Sequence, residues 1–181
     1  MKLLIKTNRD LEDKGMNIEI KKMETEDETK GKAYVHWCSW HEAYPGLVSQ
    51  EYLDKLTLER CEKIAFEWPD NLIIAKDADR VIGFIGYGDR GDEAPDIGEI
   101  FALYTLSTYY GKGVGRQLMD AALQQLREYK QICLWVLKDN KRAIHFYQKC
   151  GFYPNGEEMY STTVAATEIK MILNYQNTKF P

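Results

Sequence analysis

A glycine-rich stretch directly ahead of an amphipathic helix is the part of this chain best suited to hold a phosphate. Residues 109–116 read Tyr-Tyr-Gly-Lys-Gly-Val-Gly-Arg, and apolar residues follow at helical spacing from Leu118 to Leu126. Three glycines in five residues let the main chain approach a ligand closely, and the first N–H groups of a helix converge on one point. The segment therefore predicts a phosphate or diphosphate site, to which Lys112 and Arg116 add positive charge or act only as solvated surface cations.

Two other phosphate-binding patterns do not fit this stretch. A P-loop requires GxxxxGK followed by Ser or Thr, whereas Lys112 is followed by Gly113 and no glycine stands five residues before Gly111. A dinucleotide fingerprint requires GxGxxG, and Arg116 occupies the place of its third glycine. For the loop taken alone, a structural turn before a helix stays open as the alternative.

A second segment, residues 140–152, begins with Asn140 and ends with a Gly-Phe pair. The two segments together resemble the acyl-CoA-binding signatures of the GCN5-related N-acetyltransferase (GNAT) superfamily, and the resemblance runs from about Met16 to Leu173. The family pattern Gln/Arg-x-x-Gly-x-Gly/Ala falls on Tyr110-x-x-Gly113-x-Gly115. Tyr110 departs from the usual Gln or Arg, which puts only that side-chain contact in doubt, since the main-chain amides do not depend on it.

The resemblance implies acetyl-CoA as the co-substrate and no metal. In the family, the pantetheine arm pairs with a strand edge where two central strands splay apart. The implied contacts come from that strand, the glycine-rich loop and the later helix: Leu103, Tyr104, Thr105, Tyr110, Gly111, Lys112, Gly113, Val114, Gly115, Arg116, Asn140 and Tyr147. The N–H group of Leu103 is the expected donor to the oxyanion, whereas Asn140 could equally be a plain helix N-cap.

Transfer of an acetyl group from a thioester to an amine also requires a base and an acid. An alkylamine has a pKa of about 10.4 and must lose a proton before it attacks, and the departing thiolate benefits from a proton. By the same resemblance, Glu99 is the expected base, directly or through water, and Tyr147 the expected acid. The alternatives are a carboxylate paired with a surface cation for Glu99 and a core tyrosine for Tyr147.

The acceptor site is expected between the first helices and the loop that precedes the fourth strand. Aromatic and acidic side chains there suit a small cationic amine, such as a polyamine, an amino sugar or a peptide amino group. The candidate contacts are Trp37, Trp40, Tyr44, Asp92 and Glu93. The alternatives are core packing for the two tryptophans and a solvated loop for the two carboxylates.

Composition narrows the function classes. The 181 residues favour one domain, and 44% hydrophobic with 29% charged residues is typical of a globular protein. The net charge of −4 argues against nucleic acid as a partner, and no apolar run approaches the roughly 20 residues of a membrane span. The three histidines lack metal-site spacing, and the four cysteines form no CxxC pair, which favours free thiols and a cytoplasmic location.

Periodicity and turn signals predict an α/β (α+β) fold with a mixed, mostly antiparallel sheet of about six or seven strands and helices on both faces, as in the GNAT fold. Thr25 with Glu28 forms a capping box, and Ser49 and Thr57 are expected N-caps of two short helices. We expect an extension at 1–15, a single acetyltransferase domain at 16–174 and a tail at 175–181. Strands are predicted at 16–23, 71–77, 81–87, 97–105, 132–137 and 167–173, and further helices at 113–130 and 140–150.

Two other functions stay open at this level. One is a non-catalytic regulator that binds acyl-CoA without turnover, although the presence of both Glu99 and Tyr147 counts against it. The other is an acetyltransferase acting on protein N-termini or lysines, which needs an open groove rather than a closed pocket. The resemblance also allows for a homodimer, with residues 153–173 as its contact region.

Overall fold

A computed structural model describes residues 17–89, 94 and 96–174 of the chain. The expected extension, the expected tail, Asp92 and Glu93 lie outside the described residues. The described part holds seven strands and five α-helices. The strands are β1 (Ile18–Lys22), β2 (Leu72–Asp77), β3 (Arg80–Asp89), β4 (Ile97–Thr105), β5 (Gln131–Leu137), β6 (Tyr153–Ser161) and β7 (Ala166–Asn174). The helices are α1 (Glu26–Ala43), α2 (Gln50–Lys55), α3 (Leu58–Glu67), α4 (Val114–Gln125) and α5 (Lys141–Lys149).

The strands form one sheet in the order β1-β2-β3-β4-β5-β7-β6. Only the β4–β5 pair is parallel. Helix α1 covers one face, where His36 packs against Phe84 of β3. Helix α4 covers the other face, where Leu118 approaches Gly83. The predicted mixed sheet with helices on both faces is confirmed.

Capping signals read from the sequence act as predicted. At the start of α1, the N–H of Glu28 donates to the hydroxyl of Thr25, and the N–H of Thr25 donates to the Glu28 carboxylate, both at 3.2 Å. The hydroxyls of Ser49 and Thr57 accept hydrogen bonds from the N–H groups of Tyr52 and Arg60 and so cap α2 and α3, without the reciprocal bond. These bonds satisfy N–H groups that a helix cannot satisfy internally, so they place each helix start within one residue of the prediction.

Two elements differ from the prediction. Helix α4 ends at Gln125 rather than at 130, because the chain turns at Leu126 and the N–H of Lys130 bonds to the carbonyl of Asp96 to begin β5. Strand β6 was not predicted. It is an edge strand with almost every side chain exposed, and Pro154 with Gly156 breaks its hydrophobic alternation.

Strands β4 and β5 separate partway along their length. Their parallel pairing joins Ile97–Ile100 to Gln131–Leu134 and stops there. Residues 102–105 of β4 continue to pair with β3 but leave their other edge open. The sheet is therefore split at its centre, as the resemblance implied for these two strands.

Candidate acetyl-CoA site

A cleft of about 600 Å³ lies where β4 and β5 diverge. Its walls come from residues 100–105 of β4, residues 135–137 of β5, the glycine-rich loop, α5 and the end of α1. A sheet that opens in this way exposes main-chain donors and acceptors that an extended ligand can pair with.

The open edge of β4 presents the main chain of Leu103 to the cleft. The N–H of Leu106 donates to the carbonyl of Ile82 on β3, at 2.9 Å. Main-chain groups of successive strand residues point to alternate sides, so Tyr104 also faces β3 while Leu103 and Thr105 face the opposite edge. The Thr105 carbonyl accepts a hydrogen bond from the Ser39 hydroxyl, at 3.3 Å. The N–H of Leu103 thus lies on the edge of β4 that faces away from β3, and its role as oxyanion donor stays a prediction.

The N-terminus of α4 has a geometry that fits a diphosphate. Gly113 caps the helix with φ at +82° and offers no side chain to the first N–H groups. Gly111 has φ at +74°, and a Cβ there would meet no described atom within 4 Å. Both glycines line the cleft together with Val114, Gly115 and Arg116. Uncapped N–H groups and the positive end of the helix dipole favour an anion here.

The cations of the loop are engaged elsewhere in this structure. Nε of Arg116 donates to both carboxylate oxygens of Asp120, at 2.8 and 3.0 Å. Nζ of Lys112 lies 5.1 Å from the centroid of the Tyr109 ring. A guanidinium that was not predicted reaches the loop instead: Nη2 of Arg142 donates to the Tyr110 hydroxyl, at 3.0 Å. These three cations still surround the helix N-terminus with positive charge.

Tyr147 and Asn140 both lie on the α5 side of the cleft. Tyr147 is buried, with its ring packed edge-on against Phe146 and Phe152. Burial raises the pKa of its phenol above the usual value, so the hydroxyl keeps its proton at neutral pH. Oδ1 of Asn140 accepts from the N–H of Ala143, at 3.1 Å, which confirms the N-cap interpretation. Its contact with pantetheine stays a prediction.

Glu99 lies in the paired part of β4, outside the residues that line the cleft. Its cross-strand partner is Gly88, and those of Ala102 and Tyr104 are Gly86 and Phe84. Phe84, Gly86 and Gly88 alternate along β3 and so share one face of the sheet. The register shift at 86/87 therefore puts their partners Tyr104 and Glu99 on one face of β4. This face is toward α1, since Tyr104 stacks on His36. Glu99 therefore faces the expected acceptor side, and its role as base stays a prediction.

The expected acceptor contacts divide into two groups. Trp40 and Tyr44 line the cleft, and their rings are 4.6 Å apart. Trp37 does not line it and packs against His41 and the cluster beneath α3. The described carboxylates flanking the acidic loop, Asp89 and Asp96, bond to Tyr129 and Lys130 rather than facing the cleft.

Glu168 is a cleft residue that sequence reasoning missed. It lies on β7, lines the cleft and is half-buried. Burial raises the pKa of its carboxyl. In the sequence it alternates with apolar residues and shares a strand face with Lys170, a pattern typical of a solvated face. No local signal indicates that the end of α1 covers that face.

Among the residues that the structure describes, no group of three or more His, Cys, Asp and Glu side chains is arranged to hold a metal ion. None of the described helices has the length and apolar character needed to cross a membrane.

Known proteins are similar to this chain in sequence and in fold. Residues 27–152 match the sequence profile of the acetyltransferase (GNAT) family. A mycothiol acetyltransferase of Propionibacterium freudenreichii is 34% identical over 95 residues, which are 50% of this chain and 30% of that protein. The spermine/spermidine N(1)-acetyltransferase of Bacillus subtilis is 32% identical over 110 residues, which are 57% of this chain and 70% of that protein. The matched part of this chain thus spans about a third of the length of the mycothiol acetyltransferases that it matches.

A solved structure agrees with the architecture. The PaiA N-acetyltransferase of Thermoplasma acidophilum, in complex with coenzyme A, superposes with a TM-score of 0.70 at 23% identity. The match covers 88% of this chain and 100% of that one, and at this identity it supports the fold alone. Since the family profile covers more than half of the sequence and the fold agrees with it, the chain belongs to the acetyltransferase (GNAT) family.

Proposed function

We propose that this chain is an N-acetyltransferase that moves an acetyl group from acetyl-CoA to a primary amine of a small molecule, by direct attack in a ternary complex. The observation that carries the proposal is that one cleft contains the open edge of β4, the uncapped N-terminus of α4 and the Tyr147 hydroxyl. Relatives named mycothiol acetyltransferase and spermine/spermidine N(1)-acetyltransferase support a small acceptor.

Different main-chain groups bind the two parts of acetyl-CoA. The N–H groups of residues 113–116 receive the diphosphate, and the edge of β4 pairs with the pantetheine arm. The thioester of the bound co-substrate supplies the activated acetyl group. The Leu103 N–H stabilises the carbonyl oxygen as it gains negative charge during attack by the amine.

Two side chains manage the protons. Glu99, directly or through water, receives the proton that the ammonium group must lose before it can attack. Tyr147 holds its proton at neutral pH and donates the O–H to the departing sulfur.

The test is an acetylation assay over a panel of amines, with release of free coenzyme A thiol and the mass of each product as readouts. The panel contains small aliphatic amines, amino sugars and short peptides with free N-termini or lysines. Stoichiometric thiol and acetylated small amine support the proposal. Tight acetyl-CoA binding with no thiol release under any acceptor would favour the non-catalytic regulator, and turnover of peptides alone would favour the protein acetyltransferase.

The cellular setting and assembly are part of the same proposal. The four cysteines are thiols in this structure, which supports the cytoplasmic location expected from the sequence. A homodimer through residues 153–173 would use the exposed edge strand β6, on which Tyr153 and Tyr160 are exposed. Light scattering of the purified protein, with Tyr160→Glu as the variant, tests that contact.

A further inference from the structure

One wall of the cleft carries a carboxylate for which the reaction described above has no use. Glu168 projects from β7, on the far side of β5 from β4. It is half-buried and makes no hydrogen bond or ion pair with the described residues. Holding such a carboxylate out of water costs free energy unless a cation or donor joins it.

The nearby cations of the protein have other partners. Lys170, two residues along the same strand, bonds to Glu157 at 3.1 Å. Lys138 bonds to Glu158 at 2.7 and 2.8 Å. Arg142 bonds to Tyr110 across the mouth of the cleft. None of these three cations is hydrogen-bonded to Glu168, so a cation from the ligand could pair with it.

Aromatic rings build the rest of this part of the cleft. Tyr44 lies 4.6 Å from Trp40 and 6.5 Å from Tyr104, measured between ring centroids. Tyr44 and Glu168 both line the cleft, and burial raises the pKa of Tyr44. Electron-rich ring faces beside a carboxylate favour an ammonium group over a neutral or anionic one.

Strand β5 separates Glu168 from the edge of β4 at which the acetyl group would be attacked. The cross-strand partner of Glu168 is Leu137 of β5, and the sheet order is β4-β5-β7. The proposed function already assigns the proton of the reacting amine to Glu99. Glu168 is therefore placed for a cation other than the reacting one.

We propose that Glu168, with Tyr44 and Trp40, binds a second, non-reacting ammonium group of the acceptor. The substrates are then small diamines or polyamines, with one amine at the thioester and one at Glu168. This inference rests on the proposed function and names its substrate class. It also gives the carboxylate a cation that none of the described residues supplies.

The substrate side of the test compares four-carbon amines that differ only at the far end. They are 1,4-diaminobutane, butylamine, 4-aminobutan-1-ol and 4-aminobutanoate, each with saturating acetyl-CoA at one pH. We expect kcat/KM for the diamine to exceed that for butylamine and the alcohol by about 10- to 100-fold, since hydrogen bonds to charged groups have this strength. 4-Aminobutanoate should be the poorest, because its carboxylate faces Glu168.

The protein side uses Glu168→Gln, which keeps the shape and removes the charge. We expect the diamine-to-butylamine ratio of kcat/KM to fall by about 10-fold or more, with the dissociation constant of acetyl-CoA unchanged. Glu168→Asp should keep part of the preference. Glu158→Gln, on the neighbouring strand, is the matched control and should keep all of it.

Distinct outcomes separate the two proposals. Wild-type protein that acetylates the diamine and butylamine equally well overturns the inference and leaves the proposed function standing. The inference is also overturned if Glu168→Gln reduces turnover of both amines by one factor, because Glu168 would then act on the reacting nitrogen. Failure of the wild type to release thiol with any amine contradicts the proposed function itself.

Discussion

The guanidinium of Arg142 lies 3.9 Å from the ring centroid of Tyr110 and donates a hydrogen bond to its hydroxyl. This contact joins the first turn of α5 to the glycine-rich loop. Tyr110 stands where the family pattern has Gln or Arg, and its side chain is neutral. The stacked guanidinium places a cation beside that position, from a different helix.

Replacing Arg142 with alanine should raise the dissociation constant of acetyl-CoA by about 5- to 10-fold, because a charged donor near the diphosphate is lost. Isothermal titration calorimetry measures the effect. Lys141→Ala is the matched control, since Lys141 is adjacent, exposed and bonded to the carbonyl of Lys138. Equal losses for the two variants would mean that only the general charge of α5 matters.

Replacing Gly113 should weaken the binding of acetyl-CoA. Alanine at a φ of +82° is strained by about 1 kcal/mol, and relief of that strain turns the first N–H groups of α4 away from the diphosphate. We expect Gly113→Ala to weaken acetyl-CoA binding by about tenfold, equivalent to about 1.4 kcal/mol.

Gly46 provides the control for backbone strain at position 113. Its φ is +80°, and a Cβ there would meet nothing within 4 Å. Gly46→Ala should therefore lower the melting temperature much as Gly113→Ala does, while acetyl-CoA binding stays as in the wild type. A binding loss shared by both variants would point to global destabilisation instead.

The Tyr147 hydroxyl should matter for turnover and little for binding. Tyr147→Phe keeps the ring contacts with Phe146 and Phe152 but removes the proton that the proposed mechanism donates to the departing sulfur. We expect kcat to fall by about 100-fold, within the range for loss of a general acid, with the dissociation constant of acetyl-CoA little changed. Tyr160→Phe, at an exposed position on β6, should leave kcat unaltered.

Sequence reasoning located the fold and the co-substrate side of the cleft because their signals are local. A capping box at Thr25, glycines at 111 and 113 and an N-cap at Asn140 each act within four residues. Glu168 and Arg142 were not predicted, because their place at the cleft depends on which distant elements face them. Strand β6 escaped because an exposed edge strand needs no hydrophobic alternation.

A variant of Glu99 tests whether this predicted base acts on the reacting amine. If it does, Glu99→Gln should lower kcat/KM by about 100-fold and weaken its dependence on pH, without changing acetyl-CoA affinity. The comparison with Glu168→Gln separates the two carboxylates. Glu99→Gln should lower kcat/KM by the same factor for butylamine and 1,4-diaminobutane. Glu168→Gln should lower it more for the amine that has a second ammonium group.

Stability at low pH should depend on Glu28. Burial alone would raise the pKa of its carboxyl, but hydrogen bonds from the N–H of Glu24, Lys21, Lys76 and the N–H of Thr25 outweigh burial and lower the pKa to about 2. A lowered pKa means that the unfolded chain binds the proton more readily than the folded one. The contribution is therefore complete above pH about 4.5 and disappears as the pH falls toward about 2.

Glu28→Gln should lower the free energy of unfolding by about 2 kcal/mol at pH 7, since bonds to a charged group become bonds to a neutral one. The loss should shrink between pH 4.5 and 2, where the wild type gives up the same bonds. Urea unfolding at a series of pH values measures both. Glu26→Gln, in the same helical turn and paired with exposed Lys30, should have a smaller effect. A difference between Glu28→Gln and wild type that does not vary with pH would show that the cap geometry, and not its charge, stabilises α1.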